Sequence, residues 1–372
     1  YVKKNMASDK KKLIVFMPSI DGGGVEKNLF LITNYLSKKI KNISVITFDD
    51  RFNEHFDKKV NGLNVVRKNN KIYSKYYKYF RCLLLLFRES INQKSLVFAF
   101  QANVYCCILS LILRFDLITR SNSSPSGWTK NYLKNLIFKI LLKIPKKIIV
   151  NSLDFKKEID TKFNINSKLI YNPLNIREIK KKNNSKFKLK FYENANIRAI
   201  NIARFTDQKD HITLIKSISK AIKNKIKIKM LILGYGPNKS MMIDFIKRNK
   251  LSKNIKILNF QNNPYKFIKK SNLFILSSIY EGLPNVLLEA ISLKKFVISS
   301  NCQTGPREIL NNGQYGMLFK PRDENDLTKK IIKFSNNTKK YNKIASIAYK
   351  SLNRFDFKVN CEKYYKVINK FI

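Results

Sequence analysis

Glu281 and Glu289 stand eight residues apart in EGLPNVLLE, directly behind the apolar run LFILS. A strand over Leu273–Ser277, a short loop and a helix opening at Pro284 account for this stretch. Proline suits a first helical turn because the N–H it lacks would have no intrahelical partner. The amides of Asn285, Val286 and Leu287 are then expected to point out of a helix N-terminus unpaired. Free N–H groups and the helix dipole make such an end attractive to phosphate. Glu281 in the loop and Glu289 more than a turn into the helix can accept hydroxyls on either side of that phosphate. Sugar hydroxyls, a diphosphate and a ribose diol follow one another in this way in a sugar nucleotide.

Cations and glycines accompany the acids. Arg204 and Lys209 lie in ARFTDQKDHITLI, Gly234 and Gly236 in ILGYGP, and Gly305 and Pro306 in CQTGPREILNNGQYGMLF. GGGVEKN places Gly22, Gly23 and Gly24 near the start of the chain. Taken singly, each has an ordinary structural explanation: a solvated acid, a surface cation, a tight turn. The ordered set, each member behind a strand, is what carries weight.

Glu281 to Glu289 resembles the E-x7-E motif of the GT4-type glycosyltransferases, and Arg204 with Lys209 resembles their R-x4-K segment. The glycine loops are similar to the family's successive loops, in the same order, over nearly all of the second half. The first half is similar in its glycine-rich loop and otherwise only in pattern. This resemblance implies the GT-B fold, two Rossmann-like domains facing each other across an interdomain cleft. It also implies roles. Arg204 and Lys209 would neutralise a leaving diphosphate, acting on charge that grows in the transition state. Glu281 would hold the donor sugar and Glu289 the ribose, and Gly22–Gly24 would let backbone approach the reacting centre. No cofactor and no metal is implied, the nucleotide sugar being a co-substrate. Retaining members have no firmly established protein nucleophile, and the leaving phosphate is commonly suggested to help deprotonate the acceptor.

The elements needed to position these residues alternate throughout, as in parallel α/β architecture. In the first half strands are expected at 12–17, 43–48, 63–67, 96–100, 117–120 and 147–151, the last closing the sheet. Helices are expected at 25–38, 73–92, 104–113 and 128–142. From Pro173 to Lys190 periodicity lapses into Asn and Lys, which places the connection there. The second half restarts with strands at 198–203, 229–233, 255–258, 273–277, 296–299 and 316–319, with helices between. The expected domains are 1–175, binding acceptor, and 176–355, binding nucleotide sugar, with a helix over 356–372 returning to the first. Ligands in such sheets bind beyond the carboxyl ends of the strands.

The acceptor side has fewer markers. RSNSSPSGW follows a strand, making Arg120, Asn122 and Ser123 candidates for acceptor or phosphate contact. Many relatives carry a histidine in a nearby loop, but the only histidines here are His55 and His211. His211 opens the helix after Lys209 and reads as a cap-region residue, and His55 as a solvated one. The stretch YSKYYKYFRCLLLLF mixes aromatics, cations and leucines, as either a core helix with a basic face or an interfacial docking helix.

Composition limits the setting. The 372 residues suffice for two cores and are 44% hydrophobic, so the chain is not a disordered polymer. Lys and Arg outnumber Asp and Glu by 74 to 25, a net charge of +49, which combines coding bias with attraction to anionic membrane or phosphorylated substrates. Five cysteines without ligand spacing fit free thiols in a reducing cytoplasm and no metal site. The first twelve residues are polar and lysine-rich, so no signal peptide is expected, and Met6 is a candidate start. The longest apolar runs fall short of the ~20 residues a membrane-crossing helix needs. A cytoplasmic enzyme, soluble or peripheral on the inner membrane face, is expected. The leading reading is transfer of a hexose or N-acetylhexosamine, from UDP foremost, to a membrane-associated or polysaccharide glycan, as in surface polysaccharide or lipopolysaccharide assembly. An epimerase- or phosphorylase-like GT-B enzyme is the enzymatic alternative. A basic nucleic-acid-binding protein is the non-enzymatic one, and it would require a recognisable module that the sequence lacks.

Overall fold

The computed structural model describes residues 11–20, 22–67, 73–122, 132–183 and 189–372. These form two compact units, Tyr1–Pro173 with Lys358–Ile372, and Leu174–Phe357.

Unit 1 runs β1 (Lys12–Phe16), α1 (Gly24–Leu36), β2 (Ile43–Asp49), β3 (Asn61–Val66), α2 (Lys75–Asn92), β4 (Ser95–Ala99), α3 (Asn103–Leu113), β5 (Asp116–Ser121), α4 (Tyr132–Leu141), β6 (Lys147–Val150), α5 (Leu153–Phe163) and β7 (Lys168–Leu169). Its strands pair in parallel in the order β3-β2-β1-β4-β5-β6-β7. The central strands are apolar along their length because helices cover both faces of a parallel sheet; Ile14, Phe16, Val97 and Ala99 are fully buried. The strand at Lys147 does not close this sheet: β7 adds beyond it, pairing Ile149 with Lys168. Two paired residues carry no readable periodicity, so β7 could not be seen in sequence.

Unit 2 runs α6 (Ile176–Lys182), β8 (Ile197–Ile202), α7 (His211–Lys223), β9 (Ile228–Leu233), α8 (Lys239–Arg248), β10 (Ile255–Leu258), α9 (Tyr265–Lys270), β11 (Leu273–Leu276), α10 (Asn285–Ser292), β12 (Phe296–Ser300), α11 (Pro306–Ile309), β13 (Met317–Phe319), α12 (Glu324–Asn336) and α13 (Thr338–Lys350). Its sheet is also parallel, in the order β10-β9-β8-β11-β12-β13. The aperiodic stretch after Pro173 contains α6, capped by Asn175, whose Oδ1 accepts from the Glu178 amide at 3.2 Å. With Ile179 its one buried residue, α6 shows too little apolar pattern to be read.

The chain ends with α14 (Phe357–Ile368), whose residues from Lys358 onward belong to unit 1. The Tyr35 hydroxyl donates to Glu362 at 2.5 Å, and the Lys39 ammonium reaches the same carboxylate at 2.6 Å. Buried Cys361 completes this seam, its thiol facing the Leu31 carbonyl of α1.

In each sheet the strand order reverses once, between β1 and β4 and between β8 and β11. At such a switch point the outgoing loops diverge to opposite faces and leave a crevice beyond the strands' carboxyl ends. The Arg204 and Lys209 segment follows β8, and the Glu281 and Glu289 segment follows β11.

Candidate functional site

The loops after β8 and β11 are stitched together. Leu273 of β11 pairs with Ala199 of β8 on one side and Phe296 of β12 on the other. Beyond the strands, the Ile279 amide donates to the Gln208 carbonyl at 2.8 Å and the Gln208 side chain returns to the Tyr280 carbonyl at 2.9 Å. The Ser277 hydroxyl donates to the Lys209 carbonyl at 2.8 Å. Lys209 ends a short 3-10 turn, Asp207–Lys209, after which Asp210 takes a left-handed conformation (φ 45°) and caps α7 by accepting from the Thr213 amide. This turn brings the Lys209 ammonium 2.5 Å from Glu281 Oε1, with side-chain exposures of 16% and 9%.

A pair this enclosed is strongly coupled. Removing one partner of a buried ion pair leaves an uncompensated charge and costs about 3–5 kcal/mol. Glu281 is further fixed by the Ser278 hydroxyl, donating to Oε1 at 2.6 Å, and by Thr304, whose hydroxyl donates to the Glu281 carbonyl at 2.5 Å. Ser300 in turn donates to the Ser278 carbonyl. Cys302 lies behind this layer, its thiol pushed up to about 12 by burial and by the nearby Glu281 carboxylate. Arg204 is exposed on the β8 loop. Its neighbour Phe205 is fixed from the next loop: the Phe205 amide donates to the Tyr235 carbonyl at 2.7 Å, and the Asn238 amide donates to the Phe205 carbonyl at 3.0 Å. A Cβ on Gly234 would lie 1.9 Å from the Ala203 carbonyl oxygen, and one on Gly236 (φ +148°) 2.5 Å from that of Phe205. The glycine requirement at both positions therefore has a packing cause: one loop lies against another and holds Arg204 in place.

Pro284 is the N-cap of α10, with extended backbone (φ −71°, ψ 108°), so the helix starts one residue later than the sequence pattern indicates. The expectation of three unpaired amides is also corrected. The Leu287 amide donates to the Pro284 carbonyl at 3.1 Å, because the cap carbonyl already accepts the first helical bond. Asn285 and Val286 head the helix, both partly exposed. Glu289 is buried within α10, 3% exposed. Sequence reasoning missed its companion, Tyr265 at the start of α9, which hydrogen-bonds to Glu289. Burial first, then the carboxylates of Glu289 and Glu178, raise the Tyr265 phenol and keep it protonated as a donor. Tyr265 was unreadable because its tie to Glu289 spans 24 positions.

His211, the first residue of α7, is buried, its ring edge-on to Phe205 at 5.3 Å between centroids. Burial, with Lys209 nearby, lowers it to about 4, so the imidazole is neutral at ordinary pH.

Gly22, Gly23 and Gly24 stand in unit 1, beyond the carboxyl end of β1 and at that unit's own switch point. Gln101, after β4, clamps this loop: its Oε1 accepts from the Ser19 amide at 3.1 Å, and its Nε2 donates to the Ser19 carbonyl at 2.9 Å. Arg120 is corrected as an acceptor contact. It is fully buried, its Nε donating to the Tyr364 hydroxyl at 2.9 Å and its Nη2 to Asn172 at 2.7 Å, with Nη1 on Asn122. It ties α14 to β5, and Asn122 is engaged likewise, donating to the Phe100 carbonyl at 3.1 Å. Ser123 lies outside the described residues. His55 packs on Phe30, ring centroids 5.0 Å apart. Among the described residues, no cluster of three or more His, Cys, Asp or Glu could hold a metal, and no helix is long and apolar enough to cross a membrane. All five cysteines are free and buried.

Residues 181–351 match the model of the family "Glycosyl transferases group 1". An uncharacterized glycosyltransferase of Methanocaldococcus jannaschii is 35% identical over 229 residues, 56% of either chain, so the chain spans little more than half the length of that relative. The Campylobacter jejuni N-acetylgalactosamine-N,N'-diacetylbacillosaminyl-diphospho-undecaprenol 4-alpha-N-acetylgalactosaminyltransferase is 25% identical, over 85% of this chain and 88% of that one. Among solved structures, Anabaena HepE in complex with UDP and glucose superposes with a TM-score of 0.80 at 18% identity, covering 97% of this chain and all of that one. The fold is GT-B, built of two parallel-sheet Rossmann-like units. The E-x7-E and R-x4-K segments converge at the switch point of the region, residues 181–351, that matches the group 1 glycosyl transferase family.

Proposed function

We propose that the chain is a retaining glycosyltransferase that moves a hexose or N-acetylhexosamine from a nucleoside diphosphate sugar, a uridine diphosphate sugar foremost, to a lipid-linked or polysaccharide glycan. The observation that carries this reading is the joining of the β8 and β11 loops, which sets the Lys209–Glu281 pair beside the N-terminus of α10. HepE, with UDP and glucose bound, supports the donor class, and the Campylobacter relative, named for a diphospho-undecaprenol substrate, supports the acceptor class.

In the proposed step the bond between the sugar's anomeric carbon and the diphosphate oxygen breaks, and an acceptor hydroxyl oxygen bonds to the same face of that carbon. The acceptor proton passes to a leaving phosphate oxygen. Arg204 and Lys209 offset the charge growing on the diphosphate, and the amides at the head of α10 add the helix-terminal dipole. Glu281, held by Lys209 and Ser278, faces the sugar hydroxyls, and Glu289, held by Tyr265, accepts from the ribose diol. No step is assigned to a metal or cofactor.

Calorimetry against a panel of nucleotide sugars tests the reading, combined with Glu289→Gln and with proton NMR of the product's anomeric centre. Binding is expected for one or a few uridine diphosphate sugars, weakened about tenfold or more in Glu289→Gln by loss of a charge-assisted bond. Unchanged donor affinity in that variant would remove the ribose role, and an inverted anomer would overturn retention.

A further inference from the structure

In unit 1 the chain steps from β1 outward through β2 to β3, then back across to β4 and outward the other way. With right-handed crossovers, α1 lies on one face of the sheet and α2, α3 and α4 on the other. The α1 face has α14 beside it. The opposite face is a row in which α2 packs on α3 and α3 on α4. This row is apolar on its outside: thirteen of the twenty exposed large hydrophobic side chains among the described residues stand on these three helices. Tyr76 and Phe80 on α2 are 77% and 59% exposed, Leu111 and Ile112 on α3 60% and 67%, and Ile140 on α4 61%.

The middle helix is the most telling. NVYCCILSLIL carries no charge on any side; Cys106, Cys107 and Ser110 face the core while Leu111 and Ile112 face out. A helix apolar all round belongs in a protein core or against lipid, yet the outer face of α3 is open. Its neighbours supply cations. Across the three helices Lys and Arg number six, and the only acid, Glu89, is occupied by Lys12 at 2.6 Å. Lys75 and Arg88 on α2, and Lys139 on α4, are exposed around the apolar centre.

We infer that the outer face of α2, α3 and α4 is a docking surface for an anionic lipid membrane, with α3 entering the interface and the flanking cations meeting the headgroups. Apolar area alone would also suit a second copy of the chain. Two copies of this face would bring two sets of unneutralised cations together, and such like-charge contact costs several kcal/mol. An anionic lipid surface offers both what the centre and what the rim require. The inference stands on unit 1 alone, and lipid binding is measured without any sugar donor, so its failure is separate from failure of the donor site.

The test is co-flotation of the full chain with phosphatidylcholine vesicles, with and without about 30% phosphatidylglycerol. A chain of charge +49 will collect on any anionic vesicle, so the decisive comparison is between variants of equal charge. Leu111→Glu/Ile112→Glu is expected to lower partitioning onto the anionic vesicles about tenfold or more. Ile347→Glu/Val359→Glu, at exposed positions elsewhere and with the same charge change, should leave it within about twofold. Leu111→Ser/Ile112→Ser, which adds no charge, should also lower it, and unchanged melting temperatures exclude unfolding. Equal losses in the α3 and control variants would overturn the inference. So would undiminished partitioning, or a dimer in sedimentation that Leu111→Glu/Ile112→Glu abolishes.

Discussion

Replacing Gly305 by alanine is a severe test of the site's construction, because one methyl group would meet the loop that carries Glu281. At Gly305 the backbone has φ +83°, and a Cβ would lie 1.8 Å from the Gly282 carbonyl oxygen and 2.9 Å from Pro284 Cδ. Ordinary contact begins at 3.4 Å, so the two backbones must separate by about 1.6 Å. Gly313 is the control: its φ is +96° and nothing lies within 4 Å of its Cβ position. Gly313→Ala therefore reports backbone strain alone, about 1–2 kcal/mol after the lower chain entropy of alanine is allowed for. Gly305→Ala adds the collision, for a total of roughly 3–5 kcal/mol. At about 2–4 °C per kcal/mol for a unit of this size, the melting temperature should fall by roughly 6–20 °C, against about 2–8 °C for Gly313→Ala. Transfer should suffer further, since Gly282 follows Glu281 and Thr304 holds the Glu281 carbonyl. Misplacement by about 1 Å can lower turnover about a hundredfold. Differential scanning fluorimetry and donor turnover on both variants decide the matter. If Gly305→Ala melts no lower than Gly313→Ala and transfers sugar normally, the packing argument for the Glu281 loop is wrong.

Further expectations follow from single contacts. Tyr265→Phe keeps the ring and removes the hydroxyl that bonds Glu289, so donor KM should rise several-fold with kcat little changed; an unaltered KM would show that Glu289 needs no such support. Arg204→Ala should lower kcat more than donor affinity, because it acts on charge that develops in the transition state; equal losses would indicate ground-state grip alone. His211 titrates near 6.5 in the unfolded chain and near 4 when folded. The unfolded state therefore binds more protons between those values, and stability falls as pH falls through that window, by at most about 3 kcal/mol. Replacing it with asparagine should flatten the dependence of melting temperature on pH between 6.5 and 4, and an unchanged slope would refute the assignment.

What could be read from sequence was whatever is local. Strand β11 and helix α10 carry apolar runs and a proline within twenty residues, so their type and order are plain in the sequence. The two cations follow β8 within seven positions of its end. The pairing of Lys209 with Glu281 spans 72 positions and depends on β8 lying next to β11, a matter of strand order that periodicity does not encode. Tyr265 and Gln101 were missed for the same reason: each acts through long-range hydrogen bonds and neither has a spacing to betray it. Arg120 misled because a cation after a strand looks like a ligand contact. Only the fold shows it enclosed by Tyr364, Asn172 and Asn122. The start of α10 shifted by one residue since an extended proline serves as a cap as well as a first turn.

The large positive charge and the donor site are separate matters. A diphosphate bound at the head of α10, as proposed, would experience Lys209 strongly, because that ammonium is only 16% exposed. Exposed lysines are screened beyond about 8 Å at physiological salt and add little to grip on a donor in unit 2. Removing a few of them should leave donor KM unchanged. A surface held to lipid behaves in the opposite way, since each cation near an anionic headgroup contributes about 1 kcal/mol and many act together. The excess of Lys and Arg is thus of little use to the chemistry at the β8–β11 switch point. It matches the demands of the α2–α3–α4 face, where exposed Lys75, Arg88 and Lys139 flank an uncharged helix and the single acid is already engaged. On this argument, raising salt to about 0.5 M should weaken vesicle binding many-fold while changing donor affinity much less, and a parallel loss of both would deny the separation.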